Sequence, residues 1–337
     1  MSCYHPMLGV PEYRSEDGKW IFVPRGPYDP EMARTWTWTS EENKKGDRPS
    51  PIMLPCGHCI GCRLDQSRAW ADRMMLELDH SKSAIFVTLT YNNENVPFTE
   101  DEYTGEFGAL TLDKRDLQLF FKRLRKYFGN KEIRYYAAGE YGTTTYRPHY
   151  HAIIFGLSLE DFPDRSPRGR NELGQIHYSS GVLERIWSNG FVVLADVSWQ
   201  TCAYVSRYVQ KKVYGGHNFL GDTFGCEPEF SVMSRRPGIA GYYLQEHPAV
   251  FETSKIFTQG RPDGMSIPEY FLKKLKDENS SCYDPFLNDK IRTERRKFAD
   301  DRLMLKLAQT DLSFVQQLEL EENQKLLKAS VLKRNKN

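Results

Sequence analysis

The chain has 337 residues, 39 % apolar and 27 % charged, enough for a sizeable core in one or two domains. Forty-six Lys and Arg against 45 Asp and Glu leave a formal charge of +1, so any nucleic-acid surface must come from local clustering. No apolar run approaches the roughly 20 residues of a membrane helix. The opening MSCYHPMLGVPEYR has no basic start followed by an apolar stretch, so no signal peptide is expected. No G-x-x-x-x-G-K-S/T occurs, which argues against a P-loop ATPase. A soluble, cytoplasmic protein with no membrane partner is expected.

In chain order, residues 1–55 are rich in Pro, Gly, Trp and charge, and read as irregular. Between Leu64 and His80, Trp70, Met74 and Leu78 fall four apart, which is helical spacing. AIFVTLTY (84–91) is rich in β-branched and aromatic residues and reads as a buried strand. Leu117, Phe120, Phe121, Leu124 and Phe128 make one apolar face of a helix over 113–128, with Gly129 as its stop. Ile133–Ala138 reads as a strand, Gly139–Arg147 as a loop and PHYHAIIF (148–155) as a second strand. A polar insertion (157–180) precedes a short helix at Val182–Trp187, a strand at Phe191–Val197 and a helix over 199–213. Past Tyr283 the chain is rich in Lys, Glu and Leu, without Gly, and without Pro after Pro285, which predicts helices.

This order predicts an α+β fold: a central antiparallel sheet of ferredoxin-like or RNA-recognition-module type, helices on one face and the other face open to substrate, plus a helical C-terminal region. The expected divisions are an irregular segment with a Cys cluster and a helix (1–83), a core (84–215) and a mainly helical accessory region (216–337).

His149 and His151 are two apart on a strand and so share a face. Glu140 stands at the end of the preceding strand, where antiparallel pairing sets it beside them. Two imidazoles and a carboxylate suit Mg2+ or Mn2+, with positions left for phosphate oxygens and water. H-x-H alone is more often a surface coincidence. Tyr204 and Tyr208 are four apart on one helix face, and Tyr is a competent covalent nucleophile. Lys211 and Lys212 follow within a turn, where a cation stabilises a phenolate. Y-x-x-x-Y alone is more often core packing.

Together, PCGHCIGCRLDQSRAWADR (55–73), FVTLTY (86–91), AAGEYGTTTYRPHYHAIIFG (137–156) and AYVSRYVQKK (203–212) resemble the HUH endonucleases. Within them the likeness is to the two-tyrosine replication initiators of microviruses, of gokushovirus type. It spans residues 50 to 215. Tyr150 stands where the family usually has a plain hydrophobe, and alternation turns it to the opposite, buried face.

The resemblance implies an HUH-fold enzyme that nicks single-stranded origin DNA by metal-assisted tyrosine transesterification. It would form a 5′-phosphotyrosine, leave a 3′-OH primer for rolling-circle replication and rejoin the displaced strand. Glu140, His149 and His151 would hold Mg2+ or Mn2+, Tyr204 and Tyr208 would attack, and Lys211 and Lys212 would assist. A host helicase and DNA polymerase would be the partners, in the bacterial cytoplasm. A plasmid initiator, relaxase or transposase shares this chemistry. A non-catalytic, zinc-stabilised nucleic-acid-binding protein is the reading from another class.

Residues 110–150 carry nine Lys/Arg against four Asp/Glu. Lys122, Arg123, Arg125, Lys126 and Arg147 are candidate phosphate contacts, and the interleaved Tyr135, Tyr136, Tyr141 and Tyr146 candidate stacking platforms for a single strand. A solvated helix face with strand-core tyrosines reads the same residues otherwise.

Seven cysteines, three of them Cys56, Cys59 and Cys62, fit no disulfide framework. The spacing suits a structural Zn2+ with Cys3, His5 or His58 as fourth ligand. An iron–sulfur cluster uses similar spacing, although the fourth cysteine and trailing Pro of its usual run are missing. Three buried free thiols are the remaining reading.

Overall fold

The computed structural model describes residues 3–16, 20–39, 42, 47–100, 107–142, 144–171, 174–213, 219–253, 255–258 and 261–334. Its elements begin with β1 (Met7–Arg14), β2 (Trp20–Pro27), α1 (Pro30–Thr35), β3 (Ile52–Leu54), α2 (Ile60–Ser81) and β4 (Ala84–Tyr91). Next come β5 (Phe98–Glu100), β6 (Phe107–Leu110), α3 (Lys114–Phe128), β7 (Arg134–Tyr141), β8 (Pro148–Phe155), β9 (Ser166–Arg170) and β10 (Ile176–Ser179). Then follow α4 (Gly181–Trp187), β11 (Gly190–Asp196), α5 (Trp199–Val213), α6 (Phe219–Phe224), β12 (Phe230–Met233) and α7 (Gly241–Glu246). The last are β13 (Lys255–Thr258), β14 (Arg261–Ser266), α8 (Glu269–Lys274), α9 (Pro285–Leu307) and α10 (Phe314–Arg334).

The chain forms two compact units. One joins residues 1–66 to 289–337; the other runs from Ser67 to Asn288, wider at both ends than the core expected from the sequence. In the first, β2, β1 and β3 form a small antiparallel sheet, with α1, α9 and α10. The sequence reading missed these strands. Pro11, Pro24 and Pro27 lie within them, and register shifts at Met7/Gly9 and Pro11/Tyr13 break the alternation that marks a strand.

The second unit is built on a seven-stranded antiparallel sheet, ordered β12-β7-β8-β4-β11-β10-β9. Its central four strands, β7-β8-β4-β11, with α3 and α4 between them in sequence, are the β-α-β-β-α-β arrangement expected. Alternation divides the core between two faces. On one, Val87, Leu89, Tyr150, Ala152 and Ile154 meet α3 and α4 through Leu117, Phe120, Leu124 and Leu183. Tyr150 is fully buried there and bonds Tyr91 Oη at 2.7 Å, as the alternation predicted.

On the opposite face Phe86, Ala138, Ile153 and Phe155 meet α2 and α5 through Ala71, Met74, Cys202, Ala203 and Val205. Helices therefore cover both faces, not one. The expectation of one open face failed because α5 carries small side chains toward the sheet. Ser206 Oγ lies 3.0 Å from Ser67 Oγ, so α2 and α5 also fasten to each other there. The polar insertion, expected as a loop, contains the exposed hairpin β9–β10. Strand β7 runs three residues past Ala138, through Glu140, because β8 and β12 pair with it on either side.

Candidate active site

The β7–β8 hairpin sets the site. Gly142 N–H donates to the Arg147 carbonyl at 3.0 Å and closes the turn, which fixes Glu140 opposite His149 and Ala138 opposite His151. On its other edge β8 pairs with β4, so Thr88 lies opposite His151 and Thr90 opposite His149. Glu140, His149 and His151 share the face that α5 covers. Glu140 Oε1 is 3.1 Å from His149 Nε2 and 2.7 Å from His151 Nε2.

Each imidazole is steered by its other nitrogen. His149 Nδ1–H donates to the Arg147 carbonyl at 3.1 Å, and His151 Nδ1 lies 2.9 Å from Thr88 Oγ1. A carbonyl only accepts, so His149 Nδ1 carries the proton and, in the neutral ring, Nε2 keeps its lone pair toward Glu140. One ligand atom from each of the three residues lies within 4.8 Å of the others. Converging Nε2 atoms beside a carboxylate, with outer hydrogen bonds orienting the rings, fit a divalent cation. Burial opposes charge on Glu140, but hydrogen bonds and charge from both imidazoles hold its carboxyl below the usual range. At His149 burial is likewise outweighed, and Glu140 raises its pKa; at His151 burial prevails and favours the neutral ring a metal requires.

Helix α5 begins with Ser198 N–H donating to Thr201 Oγ1 at 2.8 Å and Thr201 N–H to Ser198 Oγ at 3.2 Å. Trp199 Nε1–H donates to Asp72 Oδ1 at 2.8 Å and anchors this end to α2. The helix then carries Tyr204 over the sheet. Its ring meets His151 edge-on, 5.2 Å between centroids, and Phe86 at 6.3 Å. Tyr204 is 37 % exposed, so a flexible polymer can reach it. Tyr208, Lys211 and Lys212 belong to the same helix, but their side chains lie outside the described residues.

The family model for replication-associated proteins of the ORF2 type matches residues 84–213. Replication-associated protein ORF2 of Spiroplasma virus 4 is 30 % identical over 252 residues, covering 73 % of this chain and 74 % of the relative. The chain belongs to the family of phage replication-associated proteins. Replication-associated protein VP4 of Bdellovibrio phage phiMH2K is 32 % identical over 260 residues, 74 % of this chain and 75 % of that one. ORF4 of Chlamydia phage 1, also a replication-associated protein, is 28 % identical over 243 residues, 70 % of this chain and 57 % of its own. No solved structure matches the chain.

In this family member the basic candidates on α3 do not join the triad. Lys122 and Lys126 are exposed, but α3 packs on the sheet face that Tyr150 occupies, opposite Glu140 and the histidines. Arg125 donates to the Ile133 carbonyl at 3.0 Å, and Arg123 to the Leu119 carbonyl and Ser188 Oγ. Arg147 donates to the Tyr91 carbonyl at 2.9 Å. Of the candidate stacking tyrosines, Tyr136 and Tyr141 are buried and Tyr135 stacks on Phe121 at 3.7 Å. Only Tyr146 of the four is well exposed.

The sulfur atoms of Cys3, Cys56, Cys59 and Cys62 also lie within 4.8 Å of one another. Of the three residues considered as a fourth ligand, Cys3 joins the group. His5 bonds Glu322 instead, at 2.7 Å, and His58 is exposed. Sequence reasoning missed Thr88 and Phe86. The signal was available in AIFVTLTY, where the even positions 86, 88 and 90 share a face and two of the three are hydroxyls.

Proposed function

We propose that this chain initiates rolling-circle replication of a single-stranded DNA phage genome by nicking and rejoining its origin strand. The observation that carries the reading is Tyr204 standing against His151, with Glu140 and His149 in the same cluster. A nucleophile that can remain covalently attached to phosphate thus lies beside a ligand set for a divalent cation, on one face of one sheet. Membership of the phage replication-associated family supports the same reading.

Glu140, His149 and His151 would hold Mg2+ or Mn2+, which supplies Lewis-acid stabilisation of charge on the scissile phosphate. Thr88 and the Arg147 carbonyl keep the two rings aimed. A tyrosine Oη attacks phosphorus, the P–O3′ bond breaks, and a 5′-phosphotyrosine and a free 3′-OH result. The phenol proton passes to solvent as the leaving 3′-oxygen takes one up. Lys211 and Lys212 are assigned to stabilising the phenolate. The second of Tyr204 and Tyr208 cuts the regenerated origin while the first end is held, and the new 3′-OH then attacks the phosphotyrosine to close the circle. One phosphodiester bond is exchanged for another of similar energy, so joining needs no nucleotide. Unwinding and synthesis fall to a host helicase and polymerase in the bacterial cytoplasm.

The experiment is incubation with an origin-bearing single strand and Mn2+, followed by a denaturing gel. A protein–DNA adduct is expected, absent in His149→Ala and lost fully only in the Tyr204→Phe/Tyr208→Phe double variant. An adduct that persists without both tyrosines refutes the assignment.

A further inference from the structure

We propose that Cys3, Cys56, Cys59 and Cys62 form a closed tetrathiolate site for a single Zn2+ ion. The site is independent of the nicking reading: its ligands, its metal and its readout all differ from those of the Glu140–His149–His151 group.

The backbone assembles the four sulfurs. Antiparallel pairing of β1 with β3 sets Met7 opposite Leu54, which brings the residues just before β1 alongside those just after β3. Cys3 and Cys56 are those flanking residues. Gly57, at φ +83°, turns the chain back, and Cys59 and Cys62 follow at the start of α2. Cys3 Sγ lies 4.0 Å from Cys59 Sγ, and Cys56 Sγ 4.0 Å from Cys62 Sγ.

These distances discriminate among the chemistries. Four thiolates about 2.3 Å from one tetrahedral zinc stand about 3.8 Å apart. A disulfide needs about 2.05 Å, and none of the four cysteines is in one. An iron–sulfur cluster binds each thiolate to a different iron and so spreads the sulfurs wider than a single ion does. The observed spacing is that of one ion.

The surroundings are those of a thiolate centre. Backbone N–H groups of Tyr4 and Cys62 point at Cys59 Sγ, at 3.3 and 3.4 Å. Those of Cys56 and Cys59 point at Cys3 Sγ (3.2 Å) and Cys56 Sγ (3.4 Å). Such donors offset the negative charge that four thiolates carry beyond a dication. Tyr4, Ile60 and Leu318 pack around the group, and Cys3, Cys59 and Cys62 are buried. With four protein ligands no position is left for substrate, so the ion is structural: it ties the chain before β1 to the start of α2.

The test uses the full chain, expressed with zinc and purified without chelator. Elemental analysis is expected to give one zinc per chain, retained in His149→Ala, His5→Ala and His58→Ala and reduced at least tenfold in Cys59→Ser. Replacement with Co2+ is expected to give strong near-ultraviolet thiolate-to-cobalt absorption, weakened by Cys3→Ser and unchanged by His5→Ala. Wild-type protein without zinc, iron with labile sulfide in its place, or zinc lost in His5→Ala but kept in Cys3→Ser overturns the proposal. Should Cys59→Ser fail to fold, the cobalt spectrum of the wild type decides: no thiolate band, no site.

Discussion

The Tyr204 ring on α5 meets the His151 imidazole on β8 edge to face, at 5.2 Å between centroids and 77° between planes. His151 in turn stacks on Phe86 of β4, at 5.6 Å and 18°. A helix and two strands thus fix the nucleophile candidate and the metal-ligand candidates relative to one another, and the predictions below follow from that arrangement.

Thr88 is the outer support of His151. Thr88→Val keeps the shape and removes the hydroxyl 2.9 Å from Nδ1. Loss of an orienting partner of this kind typically costs about 10–100-fold in metal affinity. Mn2+ titration of adduct formation is expected to shift to higher concentration by that factor, with the wild-type yield recovered at saturation. An unchanged titration would show that Thr88 does not orient the ring.

Chelation and Glu140 should act through the same site. EDTA is expected to reduce adduct formation to background, and added Mn2+ to restore it. Glu140→Gln leaves the volume and removes the charge facing both imidazoles. It should need more Mn2+ than Thr88→Val does, measured in the same assay.

The five basic residues read from the sequence do not act alike. Lys122 and Lys126 stand on the helix that packs against the far face of the sheet. Lys122→Ala/Lys126→Ala is therefore expected to leave the cleavage rate of a short oligonucleotide within about twofold of wild type at moderate salt, where exposed charges act only over about 10 Å. A large fall would mean that the strand passes around the sheet edge to α3.

Glu77 of α2 and Arg134 of β7 form a buried ion pair. Glu77 also accepts from Ala240 N–H at 2.5 Å, and Arg134 donates to the Pro237 carbonyl at 2.9 Å. Removing one member leaves the other charged in an apolar setting, so Glu77→Ala should cost about 3–5 kcal/mol by urea denaturation. A cost below about 1 kcal/mol would mean that Arg134 regains solvent.

Where local chemistry decides structure, the sequence was legible. Asp113 caps α3 by accepting from Arg115 N–H at 2.6 Å, Gly129 ends it at φ +55°, and the apolar spacing between them marks the helix. The H-x-H pattern showed that both histidines share a face, and Glu140 as their neighbour followed from antiparallel pairing.

What the sequence hid depends on distant partners. The choice of sheet face for α5 rests on Ala203, Val205 and Ser206 meeting α2 and the sheet, which no local period encodes. For the same reason the basic side of α3 looked like a DNA surface until its apolar side was located. Cys3 joined the other three cysteines only through the β1–β3 ladder, in a segment whose prolines conceal its strands.

The most direct test of the central claim is mass spectrometric mapping of the residue that carries DNA after reaction with an origin oligonucleotide and denaturation. The account predicts nucleotides linked through a 5′-phosphate to the α5 peptide at Tyr204 or Tyr208. A link at any other residue, the exposed Tyr146 included, would contradict it.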